Sequence, residues 1–363
     1  MSNARELSQL PSQAGRKNLL YNGQMQVVQR GTSFTGVTTS QYTLDRWQWA
    51  SSNAETVTIE QASDHPSGVG QSLKFTVTTA DASPAGYTVF DQKLEGADVQ
   101  HLKYGSANAK SVTVSFWVKA SVTGDYSVNL YTITATAQII GSVITVNSAN
   151  TWEYKTVTFV GDTATVIPNV VSEGLRLTIG LAANATYNAT DNTSWGAYSD
   201  GKFLYGQTAN LVGTTSATFQ ITDVQMEVGS VATEFENRSY GEELALCQRY
   251  YHRITNPSAL YARICAGKVF SATLGTFTYH FPVPMRASAT LETTGTAGDY
   301  AIGYSALTAF CTALPYVYGY TNTGGGPITA TIVATSTGMT VGQGAELVFK
   351  NTANLYLGFD AEL

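Results

Sequence analysis

The residues of this chain best suited to meeting a ligand stand together in one stretch, Ala182–Gly206, which reads AANATYNATDNTSWGAYSDGKFLYG. Tyr187, Trp195, Tyr198, Phe203 and Tyr205 are spaced there among Asn, Asp, Thr and Ser. Flat aromatic rings suit the apolar faces of sugar rings, and nearby amides and carboxylates bond sugar hydroxyls. Tyr187, Asp191, Asn192, Trp195 and Tyr198 are therefore the candidate glycan-binding residues. The competing reading is structural: Trp195 and Phe203 turn inward and pin the stretch to whatever carries it. A long loop on a rigid scaffold is where binding residues concentrate.

Catalysis and metal binding find no comparable foothold. HExxH, GxSxG, the phosphate-loop pattern GxxxxGK(S/T) and a GxGxxG between strand and helix are all absent. His65, His101, His252 and His280 show no metal-ligand spacing. A polysaccharide-cleaving enzyme needs two carboxylates in defined geometry, and the 26 Asp and Glu residues are scattered. The expectation is a protein with no catalytic residues, no metal and no cofactor. Asp45, Asp191 and Asp200 are the candidates for a structural Ca²⁺, without EF-hand spacing to support one. Cys247, Cys265 and Cys311 are odd in number and form no CxxC pair. They read as small buried hydrophobes rather than as a disulfide or zinc set. Asn184 and Asn188 head Asn-x-Thr triplets, which matter only on a secretory route.

The elements that must hold these residues are strands. With 363 residues the chain suggests two domains. Only 13% of residues are charged, while Gly (33) and Tyr (21) are abundant, a composition that suits Thr/Tyr/Val strands joined by Gly, Asn and Ser turns. The net charge of −6 and the lack of any run of five Lys/Arg argue against a nucleic-acid groove or an electrostatic membrane anchor. No apolar stretch reaches membrane-spanning length. The polar N-terminus lacks the apolar core of a signal peptide, so synthesis and assembly in a cytoplasm are expected.

From about Asn18 to Arg238 apolar residues recur with period two. Leu73, Phe75 and Val77 form one run, and Val112, Val114, Phe116 and Val118 another. Leu175, Leu177, Ile179 and Leu181 form a third, and Val224, Met226 and Val228 a fourth. Successive strand side chains point to opposite faces, so each run offers one apolar face, and many such runs predict a two-sheet sandwich over 18–238. Residues 1–17 read as an N-terminal arm that docks on a neighbour, with Arg5, Leu7 and Leu10 as its candidate contacts. Ser239-Tyr240-Gly241-Glu242 fits a capping box, and Arg249, His252 and Arg253 suit a helix C-terminus, which predicts a linking helix over 239–254. Leu244, Cys247, Tyr250 and Tyr251 would be apolar on two of its faces, making them candidates for domain or subunit contacts. Strands return over 255–363 as a second, smaller β domain, with a sharp turn at Gly324-Gly325-Gly326-Pro327.

Several strings in this order carry a resemblance. They are NLLYNGQMQVVQRGTS (18–33), YTLDRW (42–47), SFWVKAS (115–121), QMEVGSVATEFENRSYGEELALCQRYY (225–251), FPVPMRASATL (281–291) and the final YLGFDAEL. Together they resemble a family of tailed-phage and prophage structural proteins described as tail-fibre or virion appendage proteins. The resemblance runs from Asn18 to Leu363. It implies an all-β fold with an N-terminal jelly-roll β-sandwich like a carbohydrate-binding module, the short linking α-helix, and a smaller C-terminal β-sandwich or barrel-like domain. It further implies a virion location, a homotrimer, other virion proteins as partners through residues 1–17, and host cell-surface polysaccharide as a plausible ligand. Nucleic acid and membrane insertion are not among the expected partners. A capsid decoration or head-fibre role is the alternative, since the same sandwich serves there.

Overall fold

The computed structural model describes residues 16–134, 136–258, 261–304 and 307–363; Arg5, Leu7 and Leu10 of the expected arm lie outside them. The chain is almost wholly antiparallel β and divides into two units, one of residues 1–240 with Leu363 and one of Gly241–Glu362.

The first unit is a sandwich of two sheets. The six-stranded sheet has the spatial order Ser33–Val37, Thr56–Ala62, Ser72–Thr79, Thr218–Val228, Val112–Ala120, Glu153–Phe159. The seven-stranded sheet runs Gly196–Ala197, Gln138–Val146, Gly124–Thr132, Glu173–Ala183, Tyr87–Glu95, Gln48–Ser51, Gln41–Tyr42. The alternation read from the sequence sets the packing: Leu73, Phe75, Val112, Val114, Phe116, Val118, Leu175, Leu177, Ile179 and Leu181 are all fully buried. Phe75 meets Phe90 of the opposite sheet edge-on, with centroids 6.0 Å apart.

One strand breaks the alternation. On Thr218–Val228, Phe219 and Ile221 are buried, and so are Val224 and Met226, although the two pairs differ in parity. The ladder shows how. Thr222 pairs with Trp117 but Gln225 pairs with Ser115, so one extra residue is inserted between them. Asp223 absorbs it with a left-handed φ of 50°. The bulge turns both apolar pairs inward and leaves Asp223 off the core side. Residues 18–23 lie against the same strand: Leu19 N–H donates to Met226 O (2.8 Å) and Val224 N–H to Gly23 O (3.0 Å). A Cβ on Gly23 would stand 2.2 Å from Val224 O, so only glycine permits this approach.

The second unit holds a three-stranded sheet (Tyr251–Asn256, Leu355–Asp360, Thr290–Thr293) and a seven-stranded one. The latter has the order Leu307–Phe310, Tyr300–Tyr304, Gly344–Phe349, Arg263–Val269, Leu274–His280, Gly326–Thr335, Ala313–Thr323. Its two outermost strands are separated in sequence by only Cys311 and Thr312, so the sheet curls. Cys311 N–H donates to Tyr300 O, and Thr312 N–H to Thr335 O near the other edge. Phe277, Tyr300, Ile302, Ile332, Leu347, Phe349, Leu357 and Phe359 form the core. Cys265 and Cys311 lie in or against it, and burial pushes each thiol up to about 12.

The helix is shorter than expected. It spans Tyr240–Gln248 and does not continue to 254; Tyr250 N–H donates to Cys247 O, and a strand begins at Tyr251. The backbone of Tyr251–Asn256 instead pairs with Leu355–Asp360, and β-branched Ile254 and Thr255 favour that outcome. Cys247, Tyr250 and Tyr251 are fully buried within the chain itself, and the Tyr251 hydroxyl donates to Glu292 at 2.8 Å. These three side chains are thus covered by the chain's own residues, while Leu244 is half-buried.

His252 on that strand stacks on Tyr279, with its Nε2 2.6 Å from the Tyr279 hydroxyl. Burial pulls its pKa down from 6.5 to about 4. The folded state therefore resists a proton that the unfolded state accepts. Stability present above pH 6.5 should be lost as pH falls towards 4, by about 3 kcal/mol for a shift of this size. Urea denaturation of His252→Gln should show that slope flattened between pH 7 and pH 4; an unchanged slope would assign it to other groups.

Candidate glycan-contacting surfaces of the first unit

The stretch singled out by its rings is a long excursion from the seven-stranded sheet. It leaves after Ala183 and lies over that sheet's outer face. Asn184 N–H donates to Gly86 O, Tyr198 N–H to Ala137 O, Gly141 N–H to Asn192 O and Thr208 N–H to Asp125 O. Four of its rings, Tyr187, Trp195, Tyr198 and Phe203, turn inward against rings of the fold. Phe203 is buried between Tyr87, Tyr187 and Tyr198, at centroid distances of 4.9, 6.4 and 6.1 Å. Tyr198 also meets Tyr131 edge-on, and burial together with the neighbouring Asp200 carboxylate raises its hydroxyl pKa. Trp195 packs edge-on against Tyr104, and its indole N–H donates to Val160 O at 2.6 Å. The rings of Tyr187, Trp195 and Tyr198 thus hold the loop in place while remaining half-buried.

The polar residues of the same loop build a concavity. A cleft of about 550 Å³ is lined by Asp125, Asn188, Asn192, Tyr205, Gln207 and Thr208, among others. Its polar groups are fixed in advance. Asn192 is buried and donates to Asn129 Oδ1 (3.1 Å) and Lys202 O (2.7 Å). Asn188 donates to Gln207 O, and Gln207 to Ala209 O. Gly141 makes this possible, since a Cβ there would lie 2.2 Å from Asn192 Nδ2 and 2.3 Å from Asn129 Oδ1. Of the five expected residues only Asn192 lines this cleft. Asp191 is exposed and accepts from Thr193 N–H, which lowers its pKa.

Beside the loop, the outer face of the same sheet carries an ionic cluster. Arg176 is bidentate to Glu173 (2.6 and 3.0 Å), lies 3.7 Å from Asp91, and stands over the Tyr131 ring. Asp91 is buried and accepts from Thr178 at 2.6 Å; burial raises its pKa, opposed by Arg176 and Thr178.

The sheet on the other side of the sandwich bears a second set of rings, outside the 182–206 stretch. Trp117 and Tyr154 are cross-strand partners on its outer face, with centroids 5.3 Å apart and planes inclined at 54°. Tyr154 is 46% exposed. Two residues along from Trp117, the Lys119 ammonium lies 5.3 Å from the Trp152 ring, and the Trp152 indole donates to Asp64 at 3.1 Å. Lys119, bonded to the Asp64 carboxylate, holds the pKa of that group below its usual range. Asp223 of the bulge, next to Thr222 opposite Trp117, pairs with His65 at 3.3 Å; its Oδ1 is buried without a hydrogen-bond partner among the described residues. A non-glycine residue held at positive φ is costly, and here it directly follows Thr222, the cross-strand partner of Trp117. The available signal was the alternation itself: in SFWVKAS, Trp117 occupies a position that faces away from the core.

The three candidate calcium ligands are all tied elsewhere. Asp45 is buried with its carboxylate accepting from Gln29, while Asp200 accepts from the Tyr198 hydroxyl. Among the described residues no three His, Cys, Asp or Glu side chains group closely enough to hold a metal ion, and no helix is long and apolar enough to cross a membrane.

Phe203 is the keystone of the loop's attachment. Phe203→Ala should cost about 3–5 kcal/mol in urea denaturation and expose Tyr87 to solvent. A cost under about 1 kcal/mol would show that the backbone bonds alone hold the loop.

No family model matches the chain, and no curated protein matches it. Solved structures give low-identity likenesses. The enzymatically active domain of tailspike protein 4 of bacteriophage CBA120 is 11% identical with a TM-score of 0.33, over 58% of this chain and 21% of that one. This chain therefore spans about a fifth of that domain's length. A tandem of two carbohydrate-binding modules from Paenibacillus barcinonensis is 11% identical with a TM-score of 0.31, over 96% of this chain and 99% of that one. The xylan-binding first module alone is 14% identical with a TM-score of 0.30, over 60% of this chain and 100% of that one.

Proposed function

We propose that this protein is a non-catalytic structural subunit of a bacteriophage particle, a homotrimeric tail fibre or surface appendage whose first unit contacts host surface polysaccharide. The observation that carries the glycan reading is the cleft at this loop, lined by Asp125, Asn188 and Tyr205 over the buried, bonded amides of Asn192 and Gln207. Its size is in the range of small-ligand sites, and such sites combine a ring with a few fixed polar groups. Those groups are held by bonds within the fold, so a saccharide would lose little affinity to ordering the protein. The Trp117–Tyr154 pair offers a second, flatter contact for the same class of ligand, since an exposed ring covers the apolar face of a pyranose without needing a pocket.

The virion setting rests on the strings from Asn18 to Leu363 that resemble tail-fibre and appendage proteins. A rigid antiparallel scaffold with its ring-bearing surfaces on both sheets suits a role in adhesion, which requires contact and no bond cleavage. On this reading the particle surface is the protein's place of action.

Affinity electrophoresis through gels containing polysaccharide extracted from the host surface tests the reading. Tyr205→Ala with Asn188→Ala should weaken retardation by at least tenfold, a loss of about 1.4 kcal/mol or more, with the denaturation midpoint unchanged. Trp117→Ala with Tyr154→Ala should lower it further. Wild-type mobility unaffected by polysaccharide from a susceptible host would defeat the glycan reading. Release of reducing ends during the same incubation would defeat the non-catalytic one.

A further inference from the structure

No Asp, Glu, Lys, Arg or His stands between Asp299 and Glu346, although 13% of the chain is charged. This stretch supplies four of the seven strands of the larger sheet in the second unit, including both of its edges. Besides exposed but uncharged Thr308, Thr312, Thr321, Asn322 and Thr323, its surface carries a series of apolar side chains. Leu307, Phe310, Leu314, Tyr316 and Tyr318 are all exposed within twelve or so residues of chain, Tyr318 at 78% and Leu307 at 61%. Leu307 also forms a lip of an open groove of about 730 Å³, whose floor includes Gly267, Gly303 and Gly344. The charged pair at this groove, Arg263 with Glu346 at 2.8 Å, comes from outside the uncharged stretch.

Exposed apolar side chains in so close a series mark a surface made to be covered. Two features say by what. The first is charge. The chain carries a net −6, so copies of it repel wherever their charged surfaces meet. In a closed ring of identical subunits, charges near the axis face their own equivalents, and like-charge juxtaposition is costly. A surface emptied of both signs is suited to a second copy; a basic or acidic partner would find nothing to pair with. The second is the edge. Ala313–Thr323 shifts register against Gly326–Thr335 at three places. A bulged edge does not template a further strand, so contact here is by side chains and does not extend the sheet.

We infer that the uncharged surface of the second unit, with Leu314, Tyr316 and Tyr318 as its ridge, is the face through which copies of this chain associate. The inference rests on the reading of the protein as a homotrimeric subunit and assigns the contact to this unit. Tyrosine suits the role, with a broad apolar ring and a hydroxyl that stays satisfied at the rim.

Sedimentation velocity of the full chain at micromolar concentration decides it. Wild type should sediment as a trimer. Leu314→Lys with Tyr318→Lys should sediment as a monomer, its dissociation constant raised at least about a hundredfold by unpaired charge in the contact. Val166→Lys, at an exposed position of the first unit, should remain trimeric. A trimeric Lys pair would overturn the inference and leave the trimer reading standing, whereas a monomeric wild type would overturn the trimer reading itself. Should the Lys pair lose its near-ultraviolet circular dichroism, Tyr316→Ser with Tyr318→Ser decides in its place: weakened association supports this face, and unchanged association overturns it.

Discussion

Strand register is the constraint on which the rest of the first unit depends. Two sheets bury one face each, and a one-residue slip would exchange every buried side chain for its solvated neighbour. The positions available for contact with anything else are those the core leaves over. Trp117 and Lys119 are outside because Phe116 and Val118 are inside. The bulge at Thr222–Asp223 follows from the same demand, since Ile221 and Val224 can both reach the core only if one residue is set aside. The residue set aside is a carboxylate, placed in a left-handed conformation and paired with His65. Packing inside the sandwich thus fixes the chemistry outside it.

The loop over the other sheet divides its work between residue types. Its rings supply attachment: burial of Phe203 among three tyrosines gains far more than any single hydrogen bond. Its amides supply geometry, because each bonds to a backbone carbonyl or a side chain of the fold and stands in one orientation. A cleft built this way is already ordered before anything enters it. The Arg176–Glu173–Asp91 cluster beside it works similarly, since each carboxylate has an assigned donor and the guanidinium lies over Tyr131.

Much of this was legible. The runs at 73–77, 112–118 and 175–181 gave their strands and buried faces directly, because period-two alternation is a local property. The helix is shorter than its sequence implies because Arg249, His252 and Arg253, cations of the kind that gather at a helix end, lie beyond it, the last two in a strand. Their strand pairs with Leu355–Asp360, about a hundred residues away, and no local signal announces that partner. The 182–206 loop was found by its composition, yet the direction its rings face depends on Tyr87 and Tyr131 from other strands. Trp117 was visible as a residue but not as part of a surface, because Tyr154 joins it only through cross-strand pairing.

The cysteines carry a further consequence. Burial pushes the Cys265 and Cys311 thiols up to about 12, which disfavours the thiolate at neutral pH, and the thiolate is the form that oxidises and exchanges. At these two positions oxidation and stray cross-linking between neighbouring molecules are therefore disfavoured.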